Sequence, residues 1–515
     1  MSTKLLSRLR IVDAIEAESA HTQSILPDQP GLQEIANQKN ILEPWIKGQL
    51  LAGLRGTPQV VVPARKQRHG IRPAPLLDLG DRVVYRALVD FILRNFPPLD
   101  RTGEAYKLFV TAPLQEAVEN ATQLQTFFQL FESSYKYVVK TDVTAFYQYV
   151  DHGILQQELL TQTGDHEAIT LLVELLAEIT GRTYGLPQLS AASDRLSDIY
   201  IDIVERRMLK RGFHVWRYND DFRISVENYG TALTAVESIA EEFHEIGLTM
   251  SEIKTTTPSF ETYLIGNLGL TVDQDVPENL SIEDDLLGDY SEGVGTVDQN
   301  WAAATINSLK VDKPTESDLE DESWIDLRDT PDKDLRKIRR ALAMLGNVAD
   351  PMAIGYARVI MEFSPALTPN VCKYLTLLNS THHNETTSAL ANIVSQLELG
   401  VWQTVWIIRT ISDTGAMIAD PRVGDAASIH SWVQQSLMSR ESPVVSGEAC
   451  LALSSISEVG FDFLTAELKS GPAAMRPHYL IAIARLHKND IIDNATRDAV
   501  KNDGGLFKVL LAEQV

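Results

Sequence analysis

The chain has 515 residues, 44% of them hydrophobic and 23% charged, room for about three domains with sizeable cores. No apolar run approaches the ~18 residues that span a bilayer, and two distant cysteines, Cys372 and Cys450, exclude a disulfide scaffold or a cysteine-held metal. The formal charge of −24 excludes a protein that holds polyanions by bulk charge, and residues 271–334 concentrate it, with 19 acidic against 4 basic side chains.

The N-terminus, MSTKLLSRLRIVDAIEAESA, lacks the apolar stretch of a secretion signal, so a cytoplasmic protein without a membrane partner is expected. Residues 1–105 read as helices interrupted by a basic, proline-bearing segment, VVPARKQRHGIRPAP. Residues 106–270 change pattern. Tyr137–Asp142 is a β-prone run, helices follow at about 152–160 and 165–180, and Ser190–Lys210 is a longer amphipathic helix. Two β-rich runs, FHVWRY and FRISV, flank Asn219-Asp220-Asp221; a helix and an expected strand at Thr255–Phe260 complete the region. Strand, helices, hairpin, helix, strand is the order of a split β-α-β antiparallel sheet with helices on one face. Residues 271–334 read as an acidic linker, and residues 335–515 as short amphipathic helices of an α-helical repeat region. The fold class expected is α+β, a mixed core followed by an all-α region; an ordinary helical bundle is the alternative for the latter.

Asp220 and Asp221 repel one another at a tight turn unless a cation neutralises them. A solvated loop is the ordinary reading of such a pair. Asp142, ending a β-prone run upstream with Phe146 and Tyr147 just beyond it, supplies a third carboxylate. Three hard oxygen donors suit two Mg²⁺ ions, with Mn²⁺ as substitute, about 3.5–4 Å apart. Such a pair activates an attacking hydroxyl and stabilises departing pyrophosphate.

In this order the motifs resemble the reverse transcriptases across roughly residues 60–270. Asp142 with Phe146 and Tyr147, continued by Val150-Asp151-His152, is similar to the first palm motif. Gly185-Leu186-Pro187-Gln188 with Ser193 and Leu196 resembles the second, Tyr218-Asn219-Asp220-Asp221 the Tyr-x-Asp-Asp box, and Gly247-Leu248-Thr249 with Lys254-Thr255 the fourth. Arg72-Pro73 and Asp81–Val84 resemble the fingers. The resemblance implies a fingers–palm polymerase in which Asp142 and Asp220 bind both metals, with Asp221 assisting in the same cluster. It implies that Tyr147 is a sugar gate favouring deoxynucleotides, and that Tyr218 and Gln188 lie at the nucleotide. Lys66, Arg68 and Arg72 would neutralise the triphosphate, and Lys254 would protonate pyrophosphate. Alternatives are a core aromatic for Tyr147, a solvated basic loop for Lys66 and Arg68, and a surface lysine for Lys254. Leu189 departs from the pattern, which has glycine there, and Tyr263–Gly266 is a slight match to a primer-grip hairpin. No thumb, maturase, endonuclease or RNase H segment is recognisable.

A palm joined to α-helical repeats most resembles the bacterial antiphage, abortive-infection and defence-associated reverse transcriptases. That likeness implies dNTP substrates, a DNA product begun on a protein hydroxyl or templated by a noncoding RNA, a homo-oligomer and a phage-derived trigger. A retron- or intron-type enzyme is one alternative; a catalytically silent palm scaffold beside phage-sensing repeats is another.

Overall fold

The computed structural model describes residues 2–21, 24–53, 56–66, 70–119, 134–267, 299–310, 325–327, 330, 332–418, 423–439 and 442–511. The chain divides into two compact units: Met1–Arg10 with Tyr85–Leu286, and Ile11–Val84 with Leu287–Val515. The mixed α/β content with many C-terminal helices agrees with the α+β class expected.

Two strands, β1 (Val60–Arg65) and β2 (Ile71–Leu76), belong to the second unit. Three more, β3 (Tyr137–Thr141), β4 (His214–Tyr218) and β5 (Asp221–Val226), form the sheet of the first, antiparallel in the order β3-β5-β4. Valine, isoleucine and aromatic residues fill these runs because such side chains pack well on a pleated surface. The register pairs Thr141 with Phe222 and Tyr218 with Asp221, bringing the end of β3 level with the β4–β5 turn.

Alternation along β5 separates two faces. Phe222 meets the Tyr229–Glu245 helix, its ring centroid 5.4 Å from Phe243. Arg223 points the other way and lies 4.8 Å over the ring of Phe109, on the Gly103–Glu119 helix. Helices therefore cover both faces, not one as the element order suggests. A buried guanidinium needs cover, and Tyr106 and Phe109 supply aromatic faces that receive it and Tyr218. The helices at His152–Thr163, His166–Thr180 and Ala191–Lys210 fall where the sequence predicts them. Asp151 caps the first of these, its side chain accepting from the amide of Ile154 at 2.9 Å.

Two expectations change. Thr255–Phe260 is not a regular strand: Thr256 and Ser259 make isolated bridges to Lys140 and Tyr137. Pro258 lacks an N–H for a ladder, and the Ser259 hydroxyl accepts from Thr262 N at the start of a helix, Phe260–Asn267. That helix contains Tyr263–Gly266, so no primer-grip hairpin forms there. Phe260, Tyr263 and Leu264, spaced for one helical face, are buried with Val138 and Leu114.

In the second unit β1 and β2 pair from Val60↔Leu76 to Arg65↔Ile71. β1 packs on two C-terminal helices, Val401–Thr414 and Pro443–Ser454. Most of the stretches after residue 334 expected to be helical are so, but Pro351–Tyr356 is a 3-10 helix and residues 455–460 are not helical. Asp332–Asn347, Thr368–Leu378, Val401–Thr414, Pro443–Ser454 and Arg476–Lys488 each pack on the next, while His383–Gln396 packs on Gly424–Ser439. Inside this row Arg409 lays two nitrogens on Glu448, at 2.8 and 2.6 Å, and His478 approaches the same carboxylate at 3.2 Å. Burial alone would raise the Glu448 carboxyl; Arg409 and His478 overcome it and hold it at about 2. Most of residues 271–334 lies outside the described residues, but Gln299–Asn307 is a helix with Ala302 and Ile306 buried, so that part is not plain linker. Among the described residues no helix is long and apolar enough to cross a membrane.

Candidate active site

The end of β3 carries Asp142, 5% exposed. Its carbonyl accepts from Ser251 N at 2.8 Å and Thr144 N donates to Thr249 O at 2.8 Å, so the segment after Gly247 is zipped onto the strand end. This pairing delivers Lys254, whose Nζ lies 2.7 Å from Asp142 Oδ2. Asp220 lies on the two-residue turn between β4 and β5, Asn219-Asp220, and Asp221 opens β5, the strand paired with β3. Asn219 takes a left-handed φ of 52°, which asparagine tolerates better than most residues, and so closes the turn.

The three carboxylates sense one another. Burial, then Asp142 and Asp221, push the Asp220 carboxyl up to about 6. Burial and Asp142 raise Asp221 as well, against Arg223, Lys254 and Lys140. Burial depresses the Lys254 ammonium, but its contact with Asp142 outweighs this and the net change is upward. Asp221 Oδ1 is 3.9 Å from the buried Arg223. Among the described residues no three carboxylate, imidazole or thiol groups stand in metal-holding geometry, and Lys254 is the cation at Asp142. The donor set itself is all oxygen and crowded enough to raise two of its members, which fits a hard divalent cation.

Tyr147 stands on the turn after Ala145. Its hydroxyl donates to Asp194 Oδ1 at 2.6 Å and receives Arg101 Nη2 at 3.1 Å and Ser197 Oγ at 3.3 Å. Arg101 Nη1 also pairs with Asp194 at 2.9 Å. Burial and the neighbouring Asp194 raise the phenol strongly, so it stays neutral. Sequence reasoning missed Arg101 and Asp194, which fix this ring; neither belongs to a motif spacing that would have marked it. It also missed Arg217, which binds Asp198 and Glu205 at 2.8 Å each and clamps the hairpin to the Ala191–Lys210 helix.

Tyr218 is buried, and its hydroxyl donates to Arg101 O at 2.8 Å, so it is part of the site's support. Gln188 is half-buried on the loop before Ser190, and among the described residues its amide has no hydrogen-bond partner. Next to it Leu189 has φ 62°. Leucine stands where the motif pattern expects glycine, in a left-handed backbone conformation. Within this unit the described non-glycine residues of positive φ are Ala145, Leu189 and Asn219, one on each motif loop. Each stores roughly 1–2 kcal/mol of strain that surrounding contacts must hold. Lys66 and Arg72 sit on the β1–β2 hairpin of the other unit, near its tip; Arg68 lies outside the described residues.

Residues 64–272 match the family model described as "Reverse transcriptase (RNA-dependent DNA polymerase)". Comparison with curated protein sequences returned no match. Among solved structures, apo telomerase from Candida tropicalis is similar at 12% identity and TM-score 0.32, covering 81% of this chain and 74% of that one. Telomerase from the same organism in complex with a fragment of telomeric RNA has 12% identity and TM-score 0.31, covering 73% and 64%. The RNA-dependent RNA polymerase of a human picorbirnavirus has 13% identity and TM-score 0.30, covering 85% and 80%. Likeness this low adds nothing to the family match. Reverse-transcriptase polymerases use divalent metal ions. Residues 64–272 carry the reverse-transcriptase fingers–palm domain of a nucleic-acid polymerase, a nucleotidyltransferase.

Proposed function

We propose that the chain is an RNA-directed or template-independent DNA polymerase of bacterial antiphage defence, with Asp142, Asp220 and Asp221 holding two Mg²⁺ ions. The observation that carries this reading is the register that sets Asp142, at the end of β3, level with Asp220 and Asp221 at the β4–β5 turn, where the crowding raises the two turn carboxyls. The bound ions supply activation of the attacking hydroxyl and charge stabilisation at the departing phosphate. Lys254 Nζ, held protonated by Asp142, leaves that carboxylate and donates its proton toward pyrophosphate. Tyr147, its hydroxyl tied to Asp194 and Arg101, presents an immobile ring to the sugar and disfavours a 2′-hydroxyl. Gln188 offers its amide to the nucleotide or template, and the family resemblance implies that Arg72, with Lys66 or Arg68 as helpers, neutralises the triphosphate. Support for the defence role is architectural: a palm followed by a row of packed short helices, which we read as HEAT-like repeats that bind the trigger or build a homo-oligomer. The product DNA begins on a protein hydroxyl or on a noncoding RNA template.

A second reading, a silent palm scaffold, is favoured by the Lys254–Asp142 ion pair, which already neutralises one of the three carboxylates. The test is incorporation of labelled deoxynucleotides and ribonucleotides by the purified chain with Mg²⁺ or Mn²⁺, with and without RNA, beside Asp220→Ala. Incorporation that requires Asp220 supports the polymerase, and a gel shift on proteolysis supports protein priming. Phage protection that survives Asp220→Ala would favour the scaffold.

A further inference from the structure

Outside the carboxylate cluster, the palm unit exposes two tyrosines on a rigid base. Tyr149 ends the Phe146–Tyr149 turn and is 50% exposed; Tyr184 lies on the loop before Gln188 and is 38% exposed. Their ring centroids are 6.5 Å apart with planes only 4° from parallel. The Arg182 guanidinium stands 5.5 Å over the Tyr184 ring, and among the described residues no carboxylate pairs with it. The nearby Asp151 carboxylate is engaged in capping Ile154 N at 2.9 Å.

The backbone beneath the pair is tied unusually closely. Gly185 N donates to Val150 O at 2.8 Å, Leu186 N to Tyr147 O at 2.7 Å and His152 N to Thr183 O at 3.0 Å. The His152 ring, 2% exposed, bonds Gly185 O at 2.7 Å. Gly185 has φ 94°, and a Cβ there would stand 3.3 Å from Gln148 O, so the approach requires glycine. Tight scaffolding under two exposed, parallel rings makes a surface already ordered for a flat partner. Exposed phenol rings held parallel, with one cation over the Tyr184 ring, match unpaired bases and a neighbouring phosphate.

We propose that Tyr149, Tyr184 and Arg182 form a stacking platform for a single-stranded segment of nucleic acid running beside the palm site. This rests on the polymerase reading above and adds the residues that grip the unpaired strand. Stacking is tolerant of sequence because every base has a π face, so the platform is indifferent to base identity.

The test uses the full chain in EDTA, without nucleotides, and fluorescence anisotropy with labelled oligo-dT and oligo-rU of about 12 nucleotides, a length within the site sizes of single-strand binders. Tyr149→Ala and Tyr184→Ala should each weaken binding about tenfold, while Tyr149→Phe and Tyr184→Phe stay within about twofold. Arg182→Gln should lower the slope of log affinity against log salt by roughly 0.7, one phosphate contact on a single strand. Strands bearing 5-iodouracil should crosslink to Tyr149 or Tyr184 on irradiation. A preference for rU supports the platform and assigns it to an RNA template; a preference for dT supports it and assigns it to the DNA product. Alanine variants that melt like the wild type and bind as well would overturn the platform and leave the polymerase reading standing. A wild-type chain that binds neither oligonucleotide would overturn both.

Discussion

Replacing Asp220 by asparagine should abolish nucleotidyl transfer and, in the absence of metal, make the palm unit more stable. The Asp220 carboxyl is raised from 3.8 to about 6 by burial and by Asp142 and Asp221. A raised carboxyl means that the folded chain binds more protons than the unfolded chain between about pH 4 and 6. Stability therefore falls as pH rises through that window, and the full cost is present above it. At roughly 1.36 kcal/mol for each pH unit, this rise sets a ceiling of ~3 kcal/mol. Partial exposure of the turn and the favourable pull of Lys254 bring the expected gain for Asp220→Asn to ~1–2 kcal/mol. For a unit of this size that is about 2–6 °C in melting temperature. At pH 4.5, below the raised value, the folded carboxyl is largely protonated and so uncharged, and the gain should shrink to about a third of its value at pH 7.5. Differential scanning calorimetry in EDTA at the two pH values measures this. Added Mg²⁺ should raise the wild-type transition more than that of the variant, as the proposed binding to the folded carboxylates requires. An Asp220→Asn protein that melts at or below the wild-type temperature at pH 7.5 would refute the reasoning: the carboxylate would then be compensated in the metal-free fold.

Two further outcomes are expected. Tyr147→Phe should cost ~1–2 kcal/mol of stability by leaving Asp194 and Arg101 short of a partner, while keeping discrimination against ribonucleotides; Tyr147→Val should lose that discrimination, read as the ratio of ribonucleotide to deoxynucleotide incorporation. Leu189→Gly should be neutral or stabilising and Leu189→Val destabilising, with the two variants ~1–2 kcal/mol apart in urea unfolding, because a β-branched side chain tolerates φ 62° least and glycine most.

Leu189 also illustrates how sequence and structure divide the explanation. The motif pattern expects glycine there, and the leucine reads as a change in how a strand is held. The backbone there takes a left-handed conformation that glycine adopts at least cost, so the leucine brings strain and an added side chain to the loop. The helix boundaries were legible in a similar way. Asp151, Asn228 and Gly164 are cap residues whose side chains or backbone freedom end a periodic pattern, and the helices begin or stop at them. Thr255–Gly266 was misread because its β-branched and aromatic residues favour a strand, while Pro258 and the Ser259 cap act locally against one.

By itself the sequence determined which residues are candidates for the chemistry. Asp142, Asp220 and Asp221 and the strands that carry them follow from residue type, order and turn preference, all of which are local. Tertiary structure alone decided that Arg101 and Asp194 fix Tyr147, that Lys254 sits on Asp142, and that Arg223 is buried against Phe109 beside Asp221. It also decided that β1, near the N-terminus, packs with helices some 340 residues onward. These are contacts between segments distant in the chain. They are chosen by burial and by pairing of charge once the elements meet, and neither periodicity nor spacing encodes them.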